Sequence, residues 1–153
     1  MPSRKTRTLQ ARSGGTLLDF EGASILVADD DRVVRRIVVA KLYGLGYEVE
    51  EAEDGQEVLE ILEEGEIPDL LITDSNMPRV NGLQLVRRLR ESEDAALSLL
   101  PIIMLTARQS ERDIIQGLET GLDDYVIKPF SPDELAARVQ TVLWRSGKRR
   151  DSE

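Results

Sequence analysis

The chain has 153 residues, 41% hydrophobic and 32% charged, the balance of one globular domain with an ordinary core rather than a disordered segment. It holds no cysteine and no histidine, which excludes disulfides, thiolate metal sites and an imidazole base and leaves carboxylates, hydroxyls, Lys and backbone for any chemistry. The net charge is −9 but uneven: residues 1–22 and 144–153 each carry +2, so the body between them carries −13, too acidic to bind nucleic acid by neutralising phosphates.

Residues 1–22 read as a flexible basic tail around Ser13-Gly14-Gly15. The segment MPSRKTRTLQARSGGT has no apolar h-region, so no secretory signal is expected, and no apolar run approaches the ~18 residues of a membrane span. With no cysteine either, a cytoplasmic home is expected.

A domain over 23–145 follows, in which short apolar runs alternate with amphipathic segments. Ser24–Ala28 is a buried strand by its content of Ile, Leu and Val. Arg32–Leu45 is a helix with Val34, Ile37, Val38 and Leu42 at helical spacing, stopped by Gly44 and Gly46. Tyr47–Ala52 alternates as a strand, and Gly55–Glu64 is a helix with Val58, Leu59 and Leu62 on one face. Asp69–Thr73 is a buried strand, and Gly82–Arg90 a helix with Leu83, Leu85, Val86 and Leu89. Pro101–Leu105 is a third buried strand, then come a helix over Ser110–Glu119 and a strand over Asp124–Ile127. Ser131–Arg145 is the last helix, opened by a Ser cap, Pro132 and the capping-box residue Glu134. Residues 146–153 read as a C-terminal tail or a truncated linker.

Five strand–helix units predict an α/β fold, a doubly wound parallel sheet with helices on both faces. Such sheets bind ligands beyond the carboxyl ends of their strands. The polar residues there are Asp29, Asp30 and Asp31 after the first strand, Asp74 after the third, Thr106 after the fourth and Lys128 after the fifth. Three adjacent carboxylates repel one another, each pair costing about 4 kcal/mol at roughly 4 Å and an effective dielectric near 20. A hard, oxygen-seeking cation such as Mg²⁺ offsets that repulsion. With an ammonium and a hydroxyl alongside, the pocket suits a transferring phosphoryl group, with an Asp as acceptor. Asp31 is expected to cap the first helix rather than ligate.

The stretches ILVADDD at 25–31, DLLITDSNMPRVNGLQL at 69–85, PIIMLTA at 101–107 and DDYVIKPF at 123–130 resemble the receiver domain of two-component response regulators. The resemblance spans 24–145. It implies a flavodoxin-like five-stranded sheet of order 2-1-3-4-5. It also implies that Asp74 is the phosphoacceptor, that Asp30 is the main metal-binding carboxylate, that Asp29 acts on the metal through water, and that Asn76 gives its backbone carbonyl. Thr106 would bind the phosphoryl oxygen and Lys128 would pair with the phosphate. Lys128-Pro129 resembles the family's cis peptide, and Tyr125 its aromatic switch. Asn76 and Arg108 stand at positions that tune dephosphorylation, and long, cationic Arg108 is expected to shield the phosphoryl group from water.

The phosphoryl group would come from a phosphohistidine on a histidine kinase or phosphotransfer protein, since this chain has no histidine. The chain would catalyse only its own phosphorylation and dephosphorylation and is not expected to be a turnover enzyme. Residues 105–139 resemble receivers of winged-helix transcription regulators, which dimerise through the fourth helix, fifth strand and fifth helix. Glu119, Asp123, Asp124, Glu134 and Arg138 are candidates for that interface. Ile114 and Gln140 depart from its basic pattern and Leu122 replaces the usual Ala, while an apolar Ile114 would suit a docked partner. Two other readings stand beside this one. An Asp-nucleophile phosphatase would want a second acid where Asn76 stands. A phosphate-independent interaction module would not need Asp30, Asp74, Thr106 and Lys128 together.

Overall fold

The computed structural model describes residues 22–107 and 110–151. Its elements are β1 (Ser24–Ala28), α1 (Arg32–Gly44), β2 (Glu48–Ala52), α2 (Gly55–Glu63), β3 (Leu70–Asp74), α3 (Gly82–Arg90), α4 (Ala95–Ser98), β4 (Ile102–Thr106), α5 (Glu111–Thr120), β5 (Asp124–Ile127) and α6 (Pro132–Asp151). All neighbouring strand pairs are parallel, in the order β2-β1-β3-β4-β5. The expected α/β topology is therefore the observed one.

The three central strands are buried along their whole length, which is why they are continuous apolar runs. Their side chains alternate between two cores. Leu26, Leu71, Ile102 and Met104 pack with Val58, Ile61 and Leu62 of α2 and Leu85, Val86 and Leu89 of α3. Ile25, Val27, Ile72 and Ile103 pack with Val38 and Leu42 of α1 and Leu135, Val139 and Val142 of α6. Each fully buried Leu, Ile or Val contributes about 1.5–3 kcal/mol. The edge strand β2, EVEEA, is only half-buried apart from Ala52.

The helix starts at Asp31 and Ser131 are capped as the sequence suggests. Asp31 accepts from the N–H groups of Val33 at 2.9 Å and Val34 at 3.2 Å. Ser131 accepts from Asp133 at 3.1 Å and Glu134 at 3.3 Å. Asn81 and Gln84 form a full capping box at α3.

Three features differ from expectation. The single-turn helix α4, capped by Asp94, is too short to produce a periodic signal. The last helix continues past Arg145 to Asp151. Gly147 alone costs only about 1 kcal/mol in a helix. On α1, Ile37 is 48% exposed and Arg35 takes the inward place beside Val38 and Leu42. No helix among the described residues is long and apolar enough to cross a membrane.

Candidate functional site

The parallel winding delivers four strand ends to one edge of the sheet. Asp29 follows β1 and is fully buried, while its neighbour Asp30 is exposed. Asp74 ends β3 and Thr106 ends β4; in register, Asp74 pairs with Leu105 and Thr106 with Ile127. Lys128 follows β5, and the Lys128-Pro129 bond is cis.

Asp29, Asp30 and Asp74 each present an oxygen, and the three oxygens lie within 4.8 Å of one another. This all-oxygen donor set fits a hard divalent cation. Lys128 Nζ lies 3.0 Å from Asp29 Oδ2 and 3.2 Å from Asp74 Oδ1. Burial, followed by the charge of Asp29, raises the Asp74 carboxyl above its ordinary range despite Lys128. Burial alone would lower the Lys128 ammonium, but Asp29 and Asp74 outweigh it and hold it above its ordinary value. The pocket thus holds a carboxylate beside an ammonium, with two further carboxylates that a cation would neutralise.

The other predicted residues fall into two groups. Asn76 is exposed in the loop after β3. Tyr125 is half-buried, and its ring packs so close to α5 that a Cβ on Gly117 would lie 3.0 Å from Cε2. Arg108 lies outside the described residues. Of the interface candidates, Glu119 is exposed and Ile114 half-buried; the exposed apolar residues of α5 are Ile115 and Leu118. Asp123 is paired within the chain, accepting from Arg90 at 3.2 Å and from the Ile102 N–H at 2.8 Å. Arg138 binds both Asp124, at 3.2 Å, and Glu134, at 3.3 Å.

Two residues near Asp74 were not foreseen. Arg35 donates from Nη1 to the Asp29 carbonyl at 2.7 Å and from Nε to Glu51 at 2.8 Å. Its signal was a cation on the inward stripe of α1, one turn from Asp31. Ser75 donates from Oγ to Thr106 Oγ1 at 2.7 Å, and nothing in the local sequence announces that contact.

A doubly wound parallel sheet binds its ligands at the carboxyl edge of its strands, and here that edge carries an acidic, Lys-bearing pocket. More narrowly, residues 25–140 match the model of the response regulator receiver domain, and the chain belongs to that family. It is 44% identical over 127 residues to the phosphate regulon transcriptional regulatory protein PhoB of Pseudomonas aeruginosa, covering 82% of this chain and 54% of that protein. The chain spans about half the length of the curated relatives it matches. Among solved structures, the receiver domain of the Francisella response regulator 1452 superposes with a TM-score of 0.74 at 35% identity, covering 81% of this chain and 98% of that one. The chemotaxis response regulator CheY4 of Vibrio cholerae gives 0.72 at 34% identity, covering 78% and 98%.

Proposed function

We propose that this receiver is a phosphorylation-activated switch. It takes a phosphoryl group onto Asp74 from a phosphohistidine of a histidine kinase or phosphotransfer protein. The observation that carries the reading is the placement of Asp74 between Lys128, at 3.2 Å, and the carboxylates of Asp29 and Asp30. An Asp74 oxygen attacks phosphorus, the P–N bond breaks, and the imidazole keeps the bonding electrons. Lys128 pairs with the charge on the phosphoryl oxygens, and Thr106 offers its hydroxyl.

Asp29, Asp30, Asp74 and the Asn76 carbonyl would hold Mg²⁺, which when bound neutralises carboxylate and phosphoryl charge. The chain acts on itself alone, so it is a signalling protein and not a turnover enzyme. The output is carried by the face of α5, β5 and α6, through Tyr125 and the residues around Ile114 and Glu119, to a partner, a linked output domain or a second copy of the chain.

The test is intact mass after incubation with Mg²⁺ and acetyl phosphate. Wild type should gain one phosphoryl group, and Asp74→Asn or a chelator should abolish the gain. A folded wild type that gains nothing would favour a phosphate-independent interaction module.

A further inference from the structure

We propose that Ser75 is a positioning residue that latches the Thr106 hydroxyl away from the phosphoryl site, so that Thr106 must leave Ser75 before it can serve a phosphoryl group on Asp74. The proposal rests on the switch reading above and adds a specific holding contact to it.

Ser75 touches both ends of the switch. Its N–H donates to the acceptor carboxylate, at 2.9 Å from Asp74 Oδ1. Its hydroxyl donates to Thr106 Oγ1 at 2.7 Å. Thr106 is fully buried and Ser75 nearly so, where a hydrogen bond is stronger than in water and its loss is felt more.

Of the two partners, Ser75 is the fixed one. Its N–H also reaches the Leu105 carbonyl at 3.0 Å, and its own carbonyl accepts from Gly82 at 3.0 Å. Gly82 sits so close that a Cβ there would lie 2.3 Å from the Asp74 carbonyl and 2.9 Å from Ser75 Cα. The Ser75 backbone therefore has no room to follow a moving partner. Thr106 is the last residue of β4 and has discrete χ1 wells. Turning between the Ser75 hydroxyl and a phosphoryl oxygen is a two-position event, which suits a switch. The latch sets how much of the phosphoryl group's binding is spent on releasing Thr106.

The experiment is a 19F NMR titration with beryllofluoride, a mimic of aspartyl phosphate, in Mg²⁺. Wild type, Ser75→Ala and Ser75→Cys are compared, with thermal melts to confirm folding. Losing the hydroxyl should tighten beryllofluoride binding roughly two- to twelve-fold, the worth of one buried hydrogen bond. The cysteine keeps the volume with a weak donor and should follow the alanine. In a Thr106→Val background Ser75→Ala should change nothing, because the effect runs through the Thr106 hydroxyl. Equal or weaker binding by both Ser75 variants would overturn the latch while leaving the switch reading intact. A folded wild type that does not bind beryllofluoride would overturn both.

Discussion

Arg79 and Asp54 form a two-pronged ion pair that ties the loop after β3 to the start of α2. Arg79 Nε and Nη2 each lie 3.0 Å from an Asp54 oxygen. Asp54 also caps α2, accepting from the Glu57 N–H at 2.8 Å. Arg79 reaches this position from a left-handed backbone, with φ of 67°. That conformation costs a non-glycine residue roughly 1 kcal/mol, and an exposed pair returns about 0–1 kcal/mol.

The two terms separate by mutation. Arg79→Gly loses the pair and relieves the strain, so its stability in urea should stay within about 1 kcal/mol of wild type. Arg79→Ala loses the pair and keeps the strain, and should be about 1 kcal/mol less stable than Arg79→Gly. Equal stability of the two variants would show that the backbone at 79 is unstrained.

Asp74 should be a stability liability. Its folded-state carboxyl titrates above the ordinary Asp range, from burial first and Asp29 second. The folded state therefore holds that proton more tightly than the unfolded chain, and ionisation destabilises the fold as pH rises through this window. The penalty is absent below the ordinary Asp value and fully present only above the raised folded-state value. In chelator at pH 7, Asp74→Asn should melt higher than wild type, each kcal/mol being worth about 2–4 °C in a chain of this size. The gain should shrink as pH falls to the ordinary Asp range. A melting point for Asp74→Asn at or below wild type at pH 7 would contradict this.

Lys128 should behave oppositely. Burial alone would lower its pKa, but Asp29 and Asp74 raise it above the ordinary Lys value. Its stabilisation is complete below that ordinary value and is lost as pH rises through the folded value. Lys128→Met should melt lower than wild type at pH 7, with the difference closing only in strongly alkaline solution. Differential scanning fluorimetry across pH reads both variants.

Arg35 should be costly to remove. Arg35→Met keeps the aliphatic stem but leaves the Asp29 carbonyl and Glu51 short of a donor. A loss of about 1–3 kcal/mol is expected by urea denaturation. An unchanged midpoint would mean that water replaces the guanidinium.

The fold was legible because its signals are local. Ile25–Ala28 and Ile102–Leu105 are continuous apolar runs, and the helices between them carry one apolar stripe each. The core of the site was legible because topology alone sends Asp29, Asp74, Thr106 and Lys128 to one edge. What escaped depends on register and rotation. The Ser75–Thr106 bond spans 31 positions and exists because Asp74 pairs with Leu105 across two strands. Arg35 went unread, and the turn of α1 brings it to the Asp29 carbonyl and Glu51. On α5 the exposed apolar residues are Ile115 and Leu118, whereas Ile114, which was expected to suit a docked partner, is half-buried. Asp123 and Asp124, read as candidates for cross-chain pairing, have Arg90 and Arg138 within reach on their own chain.

The central claim is that Asp74 is the phosphoacceptor, and the most direct measurement is borohydride trapping after incubation with acetyl phosphate and Mg²⁺. Reduction converts an aspartyl phosphate to homoserine, which peptide mass mapping locates. The account predicts homoserine at position 74 and nowhere else, dependent on phosphodonor and lost with chelator. Homoserine at another Asp, or none in folded and treated protein, would contradict it.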